Sequence, residues 1–274
     1  MNPNENIFNY RNHRWFRANL AFLAILLVFY FLDHPLAGRR GDTVIGYAYG
    51  AVATLGILLL MVYGIRKRSY HSTVGTLVGW LSSHLWLGVS LIIIVPLHSG
   101  FQFGNNIHTL AYGFLVATIL SGVWGALNYV RYPRHILSNR GGESAADLVE
   151  QIRMIDADLK KLERGKSDKF VGLMNYIDKP VKTNCRQIIF SRSSPEFKGN
   201  AQIKKLILEL PPEEQENGIK VLNIIEEKIR LINLFENEMR AHFWLKVWLF
   251  FHLPLSLGLL VTLGIHIFSV FYYW

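Results

Sequence analysis

This sequence has only one cysteine, and it has none of the short motifs that bind nucleotides. The single thiol, Cys185, excludes an intrachain disulfide, an iron–sulfur cluster and Cys-x-x-Cys-His attachment of haem, because each needs more cysteines. There is no Gly-x-Gly-x-x-Gly fingerprint, no Walker phosphate loop and no arrangement of a serine or cysteine nucleophile. Any cofactor must therefore be held without covalent bonds, by other residue types.

Long apolar runs are what the sequence does contain. Half of the 274 residues are apolar, and they gather in five runs long enough to cross a hydrocarbon core of roughly 30 Å. This predicts an all-α integral membrane protein in contact with lipid, with five transmembrane helices. The spans are expected at residues 15–32, 43–65, 74–97, 107–130 and 243–274.

A polar stretch interrupts this pattern and predicts three regions: spans one to four in 1–135, a helical insertion in 136–241, and the fifth span in 242–274. Apolar residues recur at helical spacing from Leu148 to Leu162, after a capping box that begins at Ser144. A second such stripe begins after Pro212 and runs into span five. Two stripes of this kind predict a helical hairpin; the segment 166–210 between them has no clear pattern.

Basic residues predict the orientation. Arg11, Arg14 and Arg17 precede span one, Arg66 to Arg68 separate spans two and three, and Arg131, Arg134 and Arg140 follow span four, all on one side of a five-span zigzag. By the positive-inside rule this side is cytoplasmic. We therefore expect a multi-pass protein of the cell inner membrane, with a cytoplasmic N-terminus, a cytoplasmic insertion and a periplasmic C-terminus. The basic residues behind the net charge of +9 then serve to orient the chain in the membrane, and no nucleic-acid partner is expected.

Five of the ten histidines lie in spans or at their edges, where an ionisable side chain needs a partner or a role. His84 and His98 are 14 residues apart in span three, and His252 and His266 are 14 apart in span five. Fourteen residues rise about 21 Å and return to nearly the same helix face. Spans three and five run parallel, so the two pairs are expected at matching depths.

Two facing pairs of imidazoles suit two six-coordinate haem irons, with His84, His98, His252 and His266 as the metal ligands. Zinc or copper would need ligands that converge on one point. Hydrogen bonding between helices is an equally good explanation for any single membrane histidine. A proton relay usually enlists buried acids, and the span interiors contain no Asp or Glu. One haem, and no haem at all, remain as alternatives.

The loop from His98 to His108 is uncharged, aromatic and rich in glycine. It predicts either a quinone pocket, with His108 hydrogen-bonded to a quinone carbonyl, or an ordinary interfacial turn. His108 also competes with His98 and His266 as a haem ligand. Glycines such as Gly50, Gly88 and Gly122 fit helix packing as well as close approach of a porphyrin.

The histidine pattern resembles the cytochrome b family of quinol-oxidising complexes, in which two haem b groups lie between two parallel helices. The same four histidines would then be the ligands. This chain has fewer spans, lacks the Pro-Glu-Trp-Tyr motif and carries a large insertion, so it is also similar to the shorter dihaem cytochrome b anchors of bacterial dehydrogenases and reductases.

The resemblance implies transmembrane electron transfer in the respiratory chain, between membrane quinone or quinol and a redox partner subunit of a hetero-oligomeric complex. It implies a subunit of a larger oxidoreductase and leaves open whether the chain itself is an enzyme. The alternative is a cofactor-free membrane scaffold or sensor whose cytoplasmic hairpin recruits a partner.

Overall fold

A computed structural model describes residues 6–35, 38–68, 74–131, 145–178, 185–190 and 201–272. These residues form helices joined by turns and loops, and no strand occurs among them. The capping residue Ser144 and the basic residues Arg134 and Arg140 lie outside the described residues. The helices are α1 (Tyr10–Leu32), α2 (Val44–Arg68), α3 (Leu77–Ser99), α4 (Ile107–Arg131), α5 (Ala145–Glu163), α6 (Asp168–Ile177), α7 (Cys185–Phe190), α8 (Ala201–Leu208) and α9 (Pro212–Tyr272).

Five of these helices, α1 to α4 and α9, are long and apolar enough to cross a membrane. The predictions of an all-helical fold and of five helices with the length and composition of membrane spans are therefore confirmed for the described residues. Helix α9 has 61 residues, because the second apolar stripe of the insertion continues without a break into the fifth span.

The chain folds into two compact units, and the first comprises Met1–Arg131 and Val247–Trp274. Helix α3 lies at its centre and packs against α2, α1 and α4. Its ends follow from local chemistry: the Thr76 hydroxyl accepts a hydrogen bond from the Gly79 amide at 3.1 Å, and Gly100 ends the helix with a φ of 60°. The core of this unit contains Tyr49, Ala53, Ile57, Leu91, Ile94, Leu97, Leu115, Ile119 and Leu259.

The second unit, Tyr132–Lys246, is built from amphipathic helices. Leu148 and Ile152 of α5 form a cluster with Leu231 and Ile232 of α9, and Leu159 joins a larger cluster with Val221. The segment that has no clear pattern in the sequence contains the short helices α6, α7 and α8. Of these, α6 and α8 contribute Phe170, Leu173, Met174, Ile177, Ile203 and Ile207 to the core.

This unit also contains a charge cluster centred on one buried lysine. The Lys228 ammonium lies 2.6 Å from an Asp156 carboxylate oxygen and 2.5 Å from one of Asp178. The lysine side chain is only 2% exposed, whereas the two aspartates are 41% and 42% exposed. The carboxylates can therefore keep part of their hydration without the lysine, but the ammonium depends on the carboxylates.

Because the lysine is buried and the aspartates are half-exposed, we expect removal of the aspartates to lower the stability of the unit more than removal of the lysine. Changing both Asp156 and Asp178 to Ala should destabilise the unit by about 3–5 kcal/mol, because it leaves a buried charge unpaired. Lys228→Met should cost about 1 kcal/mol or less, because an apolar chain of similar length replaces the buried charge. Hydrogen exchange of the α6 amides in the full chain measures the change in stability of each variant. Equal losses of stability in the two variants would contradict this prediction.

Candidate histidine site

The five candidate histidines lie in the first unit, on three helices. His84 and His98 are on α3, His252 and His266 are on α9, and His108 is in the first turn of α4. The close backbone packing of α3 is with α1, α2 and α4, and not with α9. The two helices that carry the histidine pairs are therefore not in tight backbone contact.

The predicted pair of His98 and His266, called the outer pair because it is expected toward the periplasmic side, lies close together. The ring centroids of His98 and His266 are 6.0 Å apart, with the ring planes at 73°. His108 also lies beside His266, at 4.4 Å between centroids, and the Nδ1 atoms of these two rings are hydrogen-bonded. The structure thus brings three of the five histidines into one cluster.

The other predicted pair, His84 on α3 and His252 on α9, is the one expected toward the cytoplasmic side and is called the inner pair. Each ring is flanked by an aromatic ring: Tyr63 lies 5.1 Å from His84, and Trp248 lies 5.2 Å from His252, between centroids. The pairing of His84 with His252, and the role of all four histidines as ligands, stay predictions.

Two backbone carbonyls of α2 orient the histidines of α3. His84 Nδ1 lies 3.1 Å from the Leu60 carbonyl oxygen, and His98 Nδ1 lies 2.7 Å from that of Gly46. A carbonyl oxygen only accepts, so in a neutral ring the proton is on Nδ1 and the lone pair is on Nε2. The two carbonyls are 14 residues apart, as are the two histidines that they orient.

Two side chains of α4 do the same for the histidines of α9. His252 Nδ1 lies 2.8 Å from the Ser121 hydroxyl oxygen, which also lies 2.8 Å from the Thr118 carbonyl oxygen, and the Thr118 backbone is a further hydrogen-bond partner of the same ring. If Nε2 of His252 binds a metal, its Nδ1 carries the proton and the Ser121 oxygen accepts it. His266 Nδ1 is paired with His108 Nδ1. If Nε2 of His266 binds a metal, its Nδ1 carries the proton and donates it to His108.

Glycine is required at one position where a histidine ring lies against a neighbouring helix. A Cβ at Gly50 would be 2.9 Å from both Cε1 and Nδ1 of His98, closer than real Cβ atoms approach. A Cβ at Gly122 would be 3.4 Å from Cε1 of His252, and one at the buried Gly88 would be 3.8 Å from Leu60 Cδ1, so neither position excludes a methyl group. Gly50 thus makes room for the ring of His98.

Haem iron can be held by two imidazoles, so the pairs His84 with His252 and His98 with His266 would suit it as donors. The cluster of His98, His108 and His266 does not have the geometry of a metal-ion site, and no other group of three His, Cys, Asp or Glu side chains in the described ranges has it. The hydrogen bonds of the four ligand candidates are made through Nδ1, as is usual for a metal-binding histidine that ligates through Nε2. Near His252, the buried Trp248 Nε1 and Thr118 Oγ1 lack a hydrogen-bond partner within the described part of the chain.

The loop before His108 is held as a turn. Asn106 Oδ1 accepts a hydrogen bond from the Thr109 amide at 3.0 Å and so caps α4. Phe103 stacks on Tyr112 at 5.3 Å. The His108 ring is exposed, with one nitrogen engaged by His266. This arrangement explains the loop as a capped turn and leaves one edge of the His108 ring open to a ligand.

Sequence reasoning missed the groups that orient the rings. Ser121 carries a weak signal, since it is a hydroxyl in an apolar helix, 13 residues after His108. The carbonyls of Gly46 and Leu60 carry no signal, because every residue has one. Comparisons with protein families, with characterised proteins and with solved structures give no match for this chain, so a function must be inferred from the histidine site itself.

Proposed function

We propose that this chain is a transmembrane electron-transfer subunit that holds two b-type haems, one between His84 and His252 and one between His98 and His266. The observation that carries the proposal is the hydrogen bonding of all four rings through Nδ1. It directs Nε2, the usual ligating nitrogen in such an arrangement, away from the supporting helices.

The residues of the chain have distinct roles in this proposal. The four histidines would hold the two haem irons, and their Nδ1 partners on α2 and α4 fix the ring orientation. Leu91 and Ile94, which lie between His84 and His98 on α3 and belong to the buried core, would keep the region between the two haems apolar. Two bound haems at two depths would supply one-electron carriers across the membrane.

The proposal includes an exchange of electrons with membrane quinone at one end and with a redox partner subunit at the other. The exposed edge of His108 offers a hydrogen-bond donor to a quinone carbonyl, since its Nδ1 faces His266. The second unit would be the docking element on the cytoplasmic side. This is the activity that the resemblance to cytochrome b implies, in an inner membrane with the N-terminus inside.

A cofactor-free scaffold or sensor is the competing function. It is supported by the fact that each of the four rings already joins two helices, so each contributes to packing without a metal. In that case the histidines would be interhelical hydrogen-bonding groups.

An absorption spectrum separates the two functions. The purified full chain, expressed with added haem, should give a b-type reduced-minus-oxidised spectrum and close to two haems per polypeptide by pyridine haemochrome. One haem per chain would mean that one pair is misassigned. A colourless protein would refute the proposal and favour the scaffold.

A further inference from the structure

The two helices that support the ligand rings do so with different chemistry. Helix α2 uses backbone carbonyls for both histidines of α3, which no substitution can remove directly. Helix α4 uses the side chains of Ser121 and His108 for the two histidines of α9. The α4 partners differ from each other as well: one is a hydroxyl oxygen, and the other is an imidazole nitrogen.

We propose that Ser121 and His108 are positioning residues that set the reduction potentials of the inner and outer haems separately. The inference rests on the proposed function. A hydrogen-bond acceptor on Nδ1 makes the imidazole a more basic ligand and so favours the oxidised iron. Removing the acceptor from one ring should raise the midpoint potential of one haem and leave the other unchanged.

His108 has a different role here from the two that the sequence leaves open. Its Nδ1 is directed at Nδ1 of His266, so it supports a ligand and does not replace one. Contact with a quinone through its other edge remains compatible with this role.

The test is a redox titration of the full chain in detergent, with the two haem components resolved. Ser121→Ala should raise the midpoint potential of the inner haem, and His108→Phe should raise that of the outer haem. Each shift should be about 59 mV, which is about a tenfold change in the ratio of reduced to oxidised haem for a one-electron couple. Ser121→Thr and His108→Asn keep an acceptor near the same place and should restore most of the potential.

Matched controls are two serines whose hydroxyls donate to the backbone carbonyls of the same histidines and not to their rings. Ser256 donates to the His252 carbonyl at 2.7 Å and Ser269 to the His266 carbonyl at 2.8 Å, so Ser256→Ala and Ser269→Ala leave Nδ1 paired. They should leave both potentials unchanged.

The outcomes are distinct. Haem-loaded Ser121→Ala and His108→Phe proteins with unchanged potentials, or with both components shifted equally, would overturn the inference while leaving the haem sites in place. If His108→Phe loses the outer haem, the inference requires that His108→Asn retains it near the wild-type potential; an Asn variant that also loses it would overturn the positioning role. Wild-type protein without haem would refute the proposed function itself.

Discussion

His84→Ala and His252→Ala should each give a protein with one haem instead of two, and both should lose the same spectral component. In the proposed pairing the two rings would bind the same iron, and each is held by a supporting helix through Nδ1, so either substitution would remove one ligand of that iron. His98→Ala and His266→Ala should both remove the other component. The measurement is the haem count together with the low-temperature spectrum.

The control for this series is His34→Ala, because His34 is an exposed histidine between α1 and α2. It should keep both haems. A component lost from His84→Ala but retained in His252→Ala would contradict the pairing and require a different ligand for that iron. If the pairing failed at the outer site instead, His108 would be tested first, since it already contacts His266.

Gly50→Val should remove the outer haem without changing any histidine. A Cβ at this position would lie 2.9 Å from two atoms of the His98 ring, so the ring must turn away from α2 and lose its hydrogen bond to the Gly46 carbonyl. Loss of such a supporting partner typically lowers metal affinity by about 10–100-fold. The inner haem should remain at full occupancy, because the atoms nearest to this Cβ all belong to His98.

Gly64 provides the matched control, because it lies on the same helix and a Cβ there would have no atom within 4 Å. Gly64→Val should bind both haems like the wild type. If Gly50→Val kept its outer haem with an unaltered spectrum, the orientation of His98 against α2 would be refuted, and with it the steric requirement for a glycine at position 50.

The fold was predictable to the extent that apolar length decides it. Five runs of sufficient length became five helices, because a backbone in lipid must satisfy its own hydrogen bonds. The short helices between α5 and α9 were not predictable from local periodicity. Residues such as Phe170 and Ile203 are apolar because they pack into a core that several helices share. Helices of 6 to 10 residues also have too few turns to show a periodic apolar stripe.

The histidines of the candidate site were predictable from the sequence, but the groups that hydrogen-bond to their rings were not. The 14-residue spacing identified His84, His98, His252 and His266 as a set, because helix geometry alone places such residues on one face. It could not identify the Leu60 carbonyl or the role of His108, which depend on how α2 and α4 pack. The glycine at position 50 was visible in the sequence, but only the structure shows that it faces a histidine ring.

The Nδ1 hydrogen bonds also bear on how a cofactor would be loaded. A histidine side chain that is free to rotate loses conformational freedom when it coordinates iron, and it must also select one of two tautomers. In this chain both costs are met during folding of the polypeptide, since carbonyl and hydroxyl partners fix the ring and its proton beforehand. If the chain binds haem as proposed, its rate of haem uptake should depend on entry of the porphyrin between the helices and little on rearrangement of the ligands.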